Sequence, residues 1–318
     1  NAADIDFGDV LDYLALDANT RSILLYIEGI RDARTFMSGL RIAARMKPVI
    51  VLKVGRHHES AHAALSHTGA MVGADDVFDA ALRRAGVVRV MTIEQLFSAA
   101  QLLATTQRVH GNRLAIVTNG GGPGIMAADR AIDLGVSLVE LSESCIRQLD
   151  AVLPPYWSRS NPVDILGDAT HARYHAAVDA CLKDPQVDGV LVILTPQAMT
   201  EPLKAAQAVI DAATGANKPV LACWMGESQV SAAWKLFTRH VMPVFPNPDV
   251  AVEAFAYLAN YHRNQQLLMQ VPAPLAPSSR PDISGARMII DGVLAERRSR
   301  LNALEARALL TAFGIPVM

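Results

Sequence analysis

Lys47-Pro-Val-Ile-Val-Leu-Lys-Val-Gly55 and Lys218-Pro-Val-Leu-Ala-Cys-Trp-Met-Gly226 occupy corresponding places in two similar parts of the chain. In each, a Lys-Pro pair opens a mostly apolar run of strand length, and a glycine ends it. Consecutive rather than alternating apolar residues are typical of a parallel strand that helices cover on both faces. The two stretches therefore predict an α/β fold that occurs twice.

The internal repeat covers residues 4–106 and 161–263. In both, an acidic start precedes a helix, a strand, a helix, the strand after the Lys-Pro pair, a helix, a short strand and a closing helix. This alternation predicts doubly wound parallel sheets. The strands are expected at 22–27, 48–54, 114–118, 189–194 and 219–224, and the helices at 33–46, 75–85, 93–106, 125–134, 170–182, 201–213 and 249–260.

Only the second repeat has a leading unit, at 111–160, so we expect further sequence before Asn1. The Pro/Ser-rich segment 271–282 is typical of a linker, and a helix-rich tail follows it. These features divide the chain into a first domain at 1–108, a second at 109–265 and a linker with its helical tail at 266–318.

Composition excludes several classes of protein. The 318 residues are 51% hydrophobic and carry a net charge of −2, which favours about two globular domains and disfavours nucleic-acid binding. No apolar run reaches the roughly 18–20 residues that a membrane span needs. The three cysteines lack the spacing of a zinc or redox site, so we expect small buried thiols in a reducing, cytoplasmic compartment.

The first candidate site is the long connection that follows Gly55, in which Ser66-His-Thr-Gly-Ala70 is rich in small residues. Loops at the carboxyl ends of parallel strands often carry function. Small side chains let backbone amides approach a phosphate, and neutral imidazole can attack phosphorus. His67 is therefore a candidate nucleophile, with an exposed loop histidine as the alternative interpretation.

Glu28 is the second candidate because it closes the strand at 22–27, at the sheet edge where the connection after Gly55 begins. A carboxylate at this edge could orient an imidazole and raise its basicity. A solvated residue at a strand end is the alternative.

Two further segments could meet an anion. Thr118-Asn-Gly-Gly-Gly-Pro-Gly124 follows a strand and precedes a helix, as a phosphate-binding turn would, although a tight turn capped by Asn119 explains it equally well. Thr195-Pro-Gln-Ala-Met-Thr200 is the counterpart of Glu28 and is expected to expose N–H groups at a helix start. Ordinary helix capping is the alternative there.

Two pairs of histidines have the i, i+4 spacing that a helical metal site would use: His58 with His62, and His171 with His175. Neither pair has the intervening glutamate of a zinc site or an evident third ligand. We therefore expect no metal at these positions.

Several motifs, in order over residues 1–265, resemble the NDP-forming acyl-CoA synthetases, relatives of succinyl-CoA synthetase. These motifs are Tyr26-Ile-Glu-Gly29, Gly55-Arg56, Ala63-Ala-Leu-Ser-His-Thr-Gly69, Asn119-Gly-Gly-Gly-Pro-Gly124, Asn161-Pro-Val-Asp164 and Thr195-Pro-Gln-Ala-Met199. The resemblance implies two tandem flavodoxin-like domains. Residues 301–317 resemble the beginning of the family's ATP-grasp domain, and its CoA-binding domain would precede Asn1.

The resemblance also implies a reaction: acyl-CoA, NDP and phosphate give a carboxylic acid, CoA and NTP through an acyl phosphate and a phosphohistidine. His67 would carry the phosphoryl group and Glu28 would be its partner. Phosphate- or substrate-binding positions would be Ser66, Thr68, Gly69, Ala70, Asn119, Gly120, Gly121, Pro196, Gln197 and Ala198.

The implied cofactors are CoA or acyl-CoA, together with ATP or ADP and Mg²⁺ bound by a domain outside this chain. The expected partners are the CoA-binding and ATP-grasp domains, with no nucleic acid and no membrane, and homo-oligomerisation is left open. The chain also resembles the CoA-ligase-like, acyl-CoA-sensing region of Pat-type GNAT protein lysine acetyltransferases, which is the alternative function.

Overall fold

The structure, a computed structural model, describes residues 5–57, 74–103, 109–270 and 281–317. In the first repeat, helices and strands alternate in the predicted order and the strands form a three-stranded parallel sheet, β1-β2-β3. The elements are α1 (Phe7–Leu16), β1 (Ile23–Ile27), α2 (Ala33–Met46), β2 (Val49–Lys53), α3 (Asp75–Arg84), β3 (Val88–Val90) and α4 (Ile93–Leu103).

The remaining strands form a six-stranded parallel sheet in the order β5-β4-β7-β8-β9, with β6 also paired to β4. Its leading unit comprises β4 (Arg113–Thr118), α5 (Gly121–Asp133), β5 (Ser137–Leu138), α6 (Glu143–Asp150) and β6 (Val163–Asp164). The second repeat comprises α7 (His171–Lys183), β7 (Gly189–Leu194), α8 (Pro202–Ala213), β8 (Val220–Trp224), α9 (Glu227–Arg239), β9 (Val244–Phe245) and α10 (Pro248–Met269).

The predicted fold class and repeat are confirmed, and the two repeats share a side-chain contact. The Lys47 ammonium group donates to the carbonyl oxygen of Asp17, which caps α1, and Lys218 donates in the same way to Asp184, which caps α7. Each lysine therefore joins the end of one helix to the start of the strand that follows the Lys-Pro pair. This contact explains why both repeats carry the same residues at these positions.

Alternate residues of the strands point into different cores, as the pleat requires. In β2, Val49 and Val51 belong to an outer core that contains Phe36 of α2. Ile50 and Leu52 belong to a central core that also contains Ile116 of β4. Because residues of both sheets bury their side chains in this central core, the two repeats pack into one compact unit, Asn1–Met269. The domain boundary predicted at residue 108 stays a prediction, since 104–108 lies outside the described residues.

Three helix bounds differ from the sequence expectation. Helix α5 begins at Gly121 rather than at 125, because its glycines, which suggest a turn in the sequence, form the first helical turn. Helix α8 begins at Pro202, within one residue of the expected 201–213, so the segment 195–200, also expected at a helix start, precedes the helix, and residues 197–200 form a separate turn. Helix α10 extends past 260 to Met269 because Leu268 is buried in the outer core.

A second unit, Gln270–Met318, contains α11 (Ile283–Ala295) and α12 (Ala303–Ala312). Asn302 and Glu305 form a capping box at the start of α12, and Gly314 follows its end with a φ of 69°. The helical tail is thus confirmed, whereas most of the predicted linker, 271–280, lies outside the described residues. No described helix has both the length and the apolar character needed to cross a bilayer.

Candidate functional site

Glu28 stands at the carboxyl edge of the first sheet, where sequence reasoning places it. Strands β1 and β2 are parallel with Ile27 opposite Lys53, so Glu28 lies beside the residues that begin the long connection after β2. The Val54 N–H donates to the Ile27 carbonyl oxygen at 3.0 Å and prolongs this pairing. Glu28 itself is half-buried.

The histidine segment within this connection is not part of the structural description. His67, Ser66, Thr68, Gly69 and Ala70 all lie outside the described residues, as does the His58–His62 pair, and their roles stay predictions. Among the residues that the structure does describe, no cluster of three or more His, Cys, Asp or Glu side chains could hold a metal ion.

Lys53 is a buried cation at this edge that the sequence analysis missed. Its side chain is almost fully enclosed, and its ammonium group donates to the carbonyl oxygens of Glu28, at 3.0 Å, and of Val54. The same ammonium nitrogen lies 5.9 Å from the ring centroid of Phe78 in α3. Burial lowers the pKa of Lys53, and the charges of Asp75 and Glu28 oppose this effect. Lys53 therefore links the strand ends to the helix on the far side of the connection.

The helix beyond the connection is fixed by a second buried cation, Arg89 of β3. Its guanidinium group donates to the Asp75 carboxylate at 2.5 Å and lies 3.3 Å from the Asp79 carboxylate. Asp75 is the first residue of α3, so Arg89 holds the point where the connection ends. The strand before the connection and the helix after it are thus both anchored by buried positive charges.

At the carboxyl edge of the second sheet, Asn119 is buried and joins two strand ends. Its side-chain oxygen accepts from the Thr195 N–H at 2.7 Å, and its amide nitrogen donates to the Thr195 carbonyl oxygen at 2.9 Å. Asn119 follows β4 and Thr195 follows β7, so this pair of bonds aligns the Gly-rich turn with the 195–200 segment. The geometry gives Asn119 a positioning role.

Because both hydrogen bonds are shielded from solvent, an Asn119→Ala substitution is expected to leave the Thr195 backbone groups unpaired. We expect a loss of about 1–3 kcal/mol in the free energy of unfolding, measured as a shift of the urea midpoint of the full-length protein. Asn112→Ala is the control, since the side chain of exposed Asn112 donates to the Gly135 carbonyl oxygen at the surface. Equal, small shifts in both variants would contradict the positioning role.

Gly120 and Gly121 start α5 without a side-chain cap. Gly120 is the N-cap residue, and no side chain in the described part of the chain caps the first turn. The Thr118 hydroxyl donates to the Gly120 carbonyl oxygen at 2.8 Å and accepts from the Gly120 N–H at 3.0 Å, which fixes the turn. A Cβ atom on Gly124 would approach Thr118 Cγ2 to 2.9 Å, so the helix can lie this close to the strand only with glycine there. The uncapped N–H groups suit an anion.

Pro196, Gln197 and Ala198 lie in the turn that precedes α8. The Thr200 hydroxyl accepts from the Gln197 N–H at 2.7 Å and donates to the Gln197 carbonyl oxygen at 2.8 Å. The Gln197 N–H is therefore already paired, while Gln197 and Ala198 are exposed at the sheet edge. The Asn161 amide bonds to Leu114, Ile116 and Val139 backbone groups, so its motif supports the sheet.

Comparison with known proteins matches two family models in succession. Residues 1–103 match the succinyl-CoA ligase like flavodoxin domain and residues 114–268 match the ligase-CoA domain. ADP-forming acetate–CoA ligase I of Archaeoglobus fulgidus is 38% identical over 320 residues, covering 100% of this chain and 44% of that protein. The alpha subunit of ADP-forming acetate–CoA ligase II of Pyrococcus furiosus is 38% identical over 263 residues, covering 80% of this chain and 57% of the subunit.

Among solved structures, dinucleotide-forming acetyl-coenzyme A synthetase 1 of Ca. Korarchaeum cryptofilum, in complex with phosphate and ADP, superposes with a TM-score of 0.78. It is 32% identical, and the match covers 85% of this chain and 59% of that one. The chain thus spans about half the length of these relatives. Two consecutive family models, identities above 30% and a shared fold agree that the chain belongs to the succinyl-CoA ligase-like family of NDP-forming acyl-CoA synthetases.

Proposed function

We propose that this chain is part of an NDP-forming acyl-CoA synthetase, which converts acyl-CoA, NDP and phosphate to a carboxylic acid, CoA and NTP. The observation that carries the proposal is the anchoring of Glu28 beside the connection that contains His67, with Lys53 joining the two backbone segments. A carboxylate carried by this anchored backbone can accept a hydrogen bond from an imidazole and raise the basicity of the other ring nitrogen.

In the proposed sequence, phosphate displaces CoA from the thioester and forms an acyl phosphate. One imidazole nitrogen of His67 then attacks the phosphorus atom, the bond from phosphorus to the acyl oxygen breaks, and the carboxylate leaves. The phosphohistidine finally transfers its phosphoryl group to NDP. The uncapped start of α5 offers N–H donors for the phosphate oxygens, which carry more charge in the transition state.

CoA, NDP and Mg²⁺ are proposed to bind mainly to a CoA-binding domain and an ATP-grasp domain of the whole protein, in the cytoplasm. The chain's own contribution is the phosphoryl carrier, its partner carboxylate and the phosphate-binding edge. Both the archaeal ligases and the solved synthetase described above are named for CoA ligation, and no observation on the described residues favours the acetyltransferase alternative. The proposal leaves homo-oligomerisation open.

The direct test is incubation of the full-length protein with γ-labelled ATP, or with acyl-CoA and labelled phosphate. A phosphohistidine predicts a label that is lost in acid and kept in base, and peptide mapping should locate it at His67. An acid-stable label would contradict the phosphohistidine. The absence of any label, both from ATP and from acyl-CoA with phosphate, would contradict it as well.

A Glu28→Gln substitution keeps the shape of the side chain and removes its charge. We expect the rate of label incorporation to fall about 10–100-fold, because a neutral amide raises the basicity of the imidazole less than a carboxylate does. Unfolding should be little affected, since the carboxylate is only half-buried. Asp12→Asn, which removes a charge from an exposed position in α1, is the control and should incorporate label at the normal rate. An unchanged rate in Glu28→Gln would exclude the carboxylate as the partner of His67.

A further inference from the structure

A polar cavity of about 430 Å³ lies at the amino edge of the second sheet, between the two repeats. His110, Gly111 and Asn112, which precede β4, form one wall, and α10 forms another with His262 and Arg263. Strand β4 runs from Arg113 to Thr118, and at about 3.3 Å per residue its two ends are roughly 15–20 Å apart. The cavity is therefore separate from the strand ends that carry Asn119.

Positive and donor groups dominate the lining. Arg83 and Arg263 contribute guanidinium groups, and His110 and His262 contribute imidazoles whose ring centroids are 5.8 Å apart, edge to face. None of the described residues that line this cavity is acidic. Side-chain amides of Asn112, Asn260 and Gln266 complete the polar part of the lining.

The acidic groups nearest to these cations leave part of the positive charge uncompensated. Asp79 pairs with Arg83 at 2.5 Å. Among the described residues, the Arg263 guanidinium donates only to the neutral side-chain oxygen of Asn260, at 2.9 Å. Asp188, close to His262, is engaged by two guanidinium nitrogens of Arg113, each at 2.9 Å. Arg263 therefore keeps its charge for a ligand, whereas His262 Nε2 already shares a hydrogen bond with the Gln266 amide nitrogen, at 2.9 Å.

The surroundings of His262 disfavour its protonation. Burial lowers the pKa of His262, and the neighbouring His110 lowers it further, while Asp188 has the opposite effect. An anion placed beside His262 would oppose these two effects and favour its protonated form. Such a site gains affinity from a ligand with several negative oxygens.

We propose that this cavity binds the phosphate groups of a small phosphorylated anion. A planar guanidinium pairs with two phosphate oxygens at once, and the imidazole and amide donors suit the remaining oxygens. The number of donors exceeds what one carboxylate can accept. The volume lies in the range of about 300–1,000 Å³ typical of small-molecule sites. The site is distinct from the proposed ligase centre and does not depend on that activity.

Calorimetric titration of the full-length protein with pyrophosphate tests the proposal. His262→Gln/Arg263→Gln should weaken pyrophosphate binding at least about tenfold, as expected for the loss of a charged hydrogen bond. The matched control is His240→Gln/Arg239→Gln, an exposed Arg-His pair at the end of α9, which should bind like the unaltered protein. Affinities within twofold of each other in all three proteins would overturn the proposal.

A second measurement needs no substitution and so does not depend on the folding of a variant. Pyrophosphate should protect His110 and His262 from diethyl pyrocarbonate, read by mass spectrometry, and should leave the exposed His240 unprotected. If AMP also protects the two histidines, the ligand of the cavity is a nucleoside phosphate. If only pyrophosphate protects them, the ligand is a free polyphosphate. Equal protection by acetate, or no protection of either histidine, would overturn the proposal.

Discussion

A His67→Asn variant of the full-length protein is expected to incorporate no acid-labile phosphate and to lose the overall ligase reaction by at least about a thousandfold. Asparagine resembles histidine in size and polarity, but its amide nitrogen has no available lone pair with which to attack phosphorus. The change thus removes the proposed nucleophile with little change in volume. Label incorporation and NTP formation from acyl-CoA, phosphate and NDP measure the two effects.

One partial reaction separates the loss of a nucleophile from general damage. Release of CoA from acyl-CoA and phosphate precedes the histidine step, so the variant should keep this activity within about tenfold of the unaltered protein. His240→Asn serves as the control, because exposed His240 lies at the end of α9 and its ring is hydrogen-bonded to the Leu236 carbonyl oxygen of its own helix. Full labelling of the His67→Asn variant would rule out His67 as the carrier.

Much of the fold could be predicted because its signals are local. The run Gly189–Leu194 is apolar on both faces, as expected of a parallel strand that helices cover on both sides. Strand β7 has these same bounds. The shared Lys-Pro pairs predicted the repeat, and the matching contacts of Lys47 and Lys218 show why they are repeated. A pattern of this kind depends on neighbours in sequence, so one sequence is enough to read it.

The site was less predictable because its contacts join residues that are distant in the chain. The sequence alone allows Asn119 to bind a phosphate or to cap a helix. Its actual partner, Thr195, is 76 residues away in the chain. The sequence also could not show that Lys53 points inward, since its acceptors belong to the ends of two different strands. A lysine at the end of an otherwise apolar strand was the one available signal. The position of Glu28 at the sheet edge could be predicted because the end of a strand alone defines it.

Comparison of the repeats indicates that the charge of Lys53 is not required for the fold. At the last position of β8, which corresponds to Lys53 in β2, the second repeat has Trp224. This tryptophan is fully buried and its ring nitrogen donates to the Pro202 carbonyl oxygen at 3.1 Å. An apolar side chain with one donor is thus sufficient for the second sheet. The lysine occurs in the repeat that carries Glu28 and the histidine segment.

We therefore expect Lys53→Met to affect phosphoryl transfer more than Lys47→Met does. Each lysine lies at one end of β2 and donates to two backbone carbonyl oxygens. Lys53 does so at the carboxyl edge of the sheet. Lys47 does so at the amino edge, where its acceptors are the carbonyl oxygens of Leu14 and Asp17. Both substitutions should lower the free energy of unfolding by about 1–3 kcal/mol, because partly buried carbonyl groups lose a charged donor. Urea unfolding of the full-length protein measures this loss.

The rate of His67 labelling should differ between the two variants. In Lys53→Met, the Glu28 backbone and the start of the connection are released, and displacement of a reacting group by about 1 Å can cost roughly a hundredfold in rate. A 10–100-fold slower labelling is therefore expected, whereas Lys47→Met should label within about twofold of the unaltered protein because its contacts lie at the opposite edge. Equal labelling rates in two equally destabilised variants would mean that Lys53 contributes to the stability of the fold and not to phosphoryl transfer. The positioning of Glu28 would then have to come from the histidine segment itself.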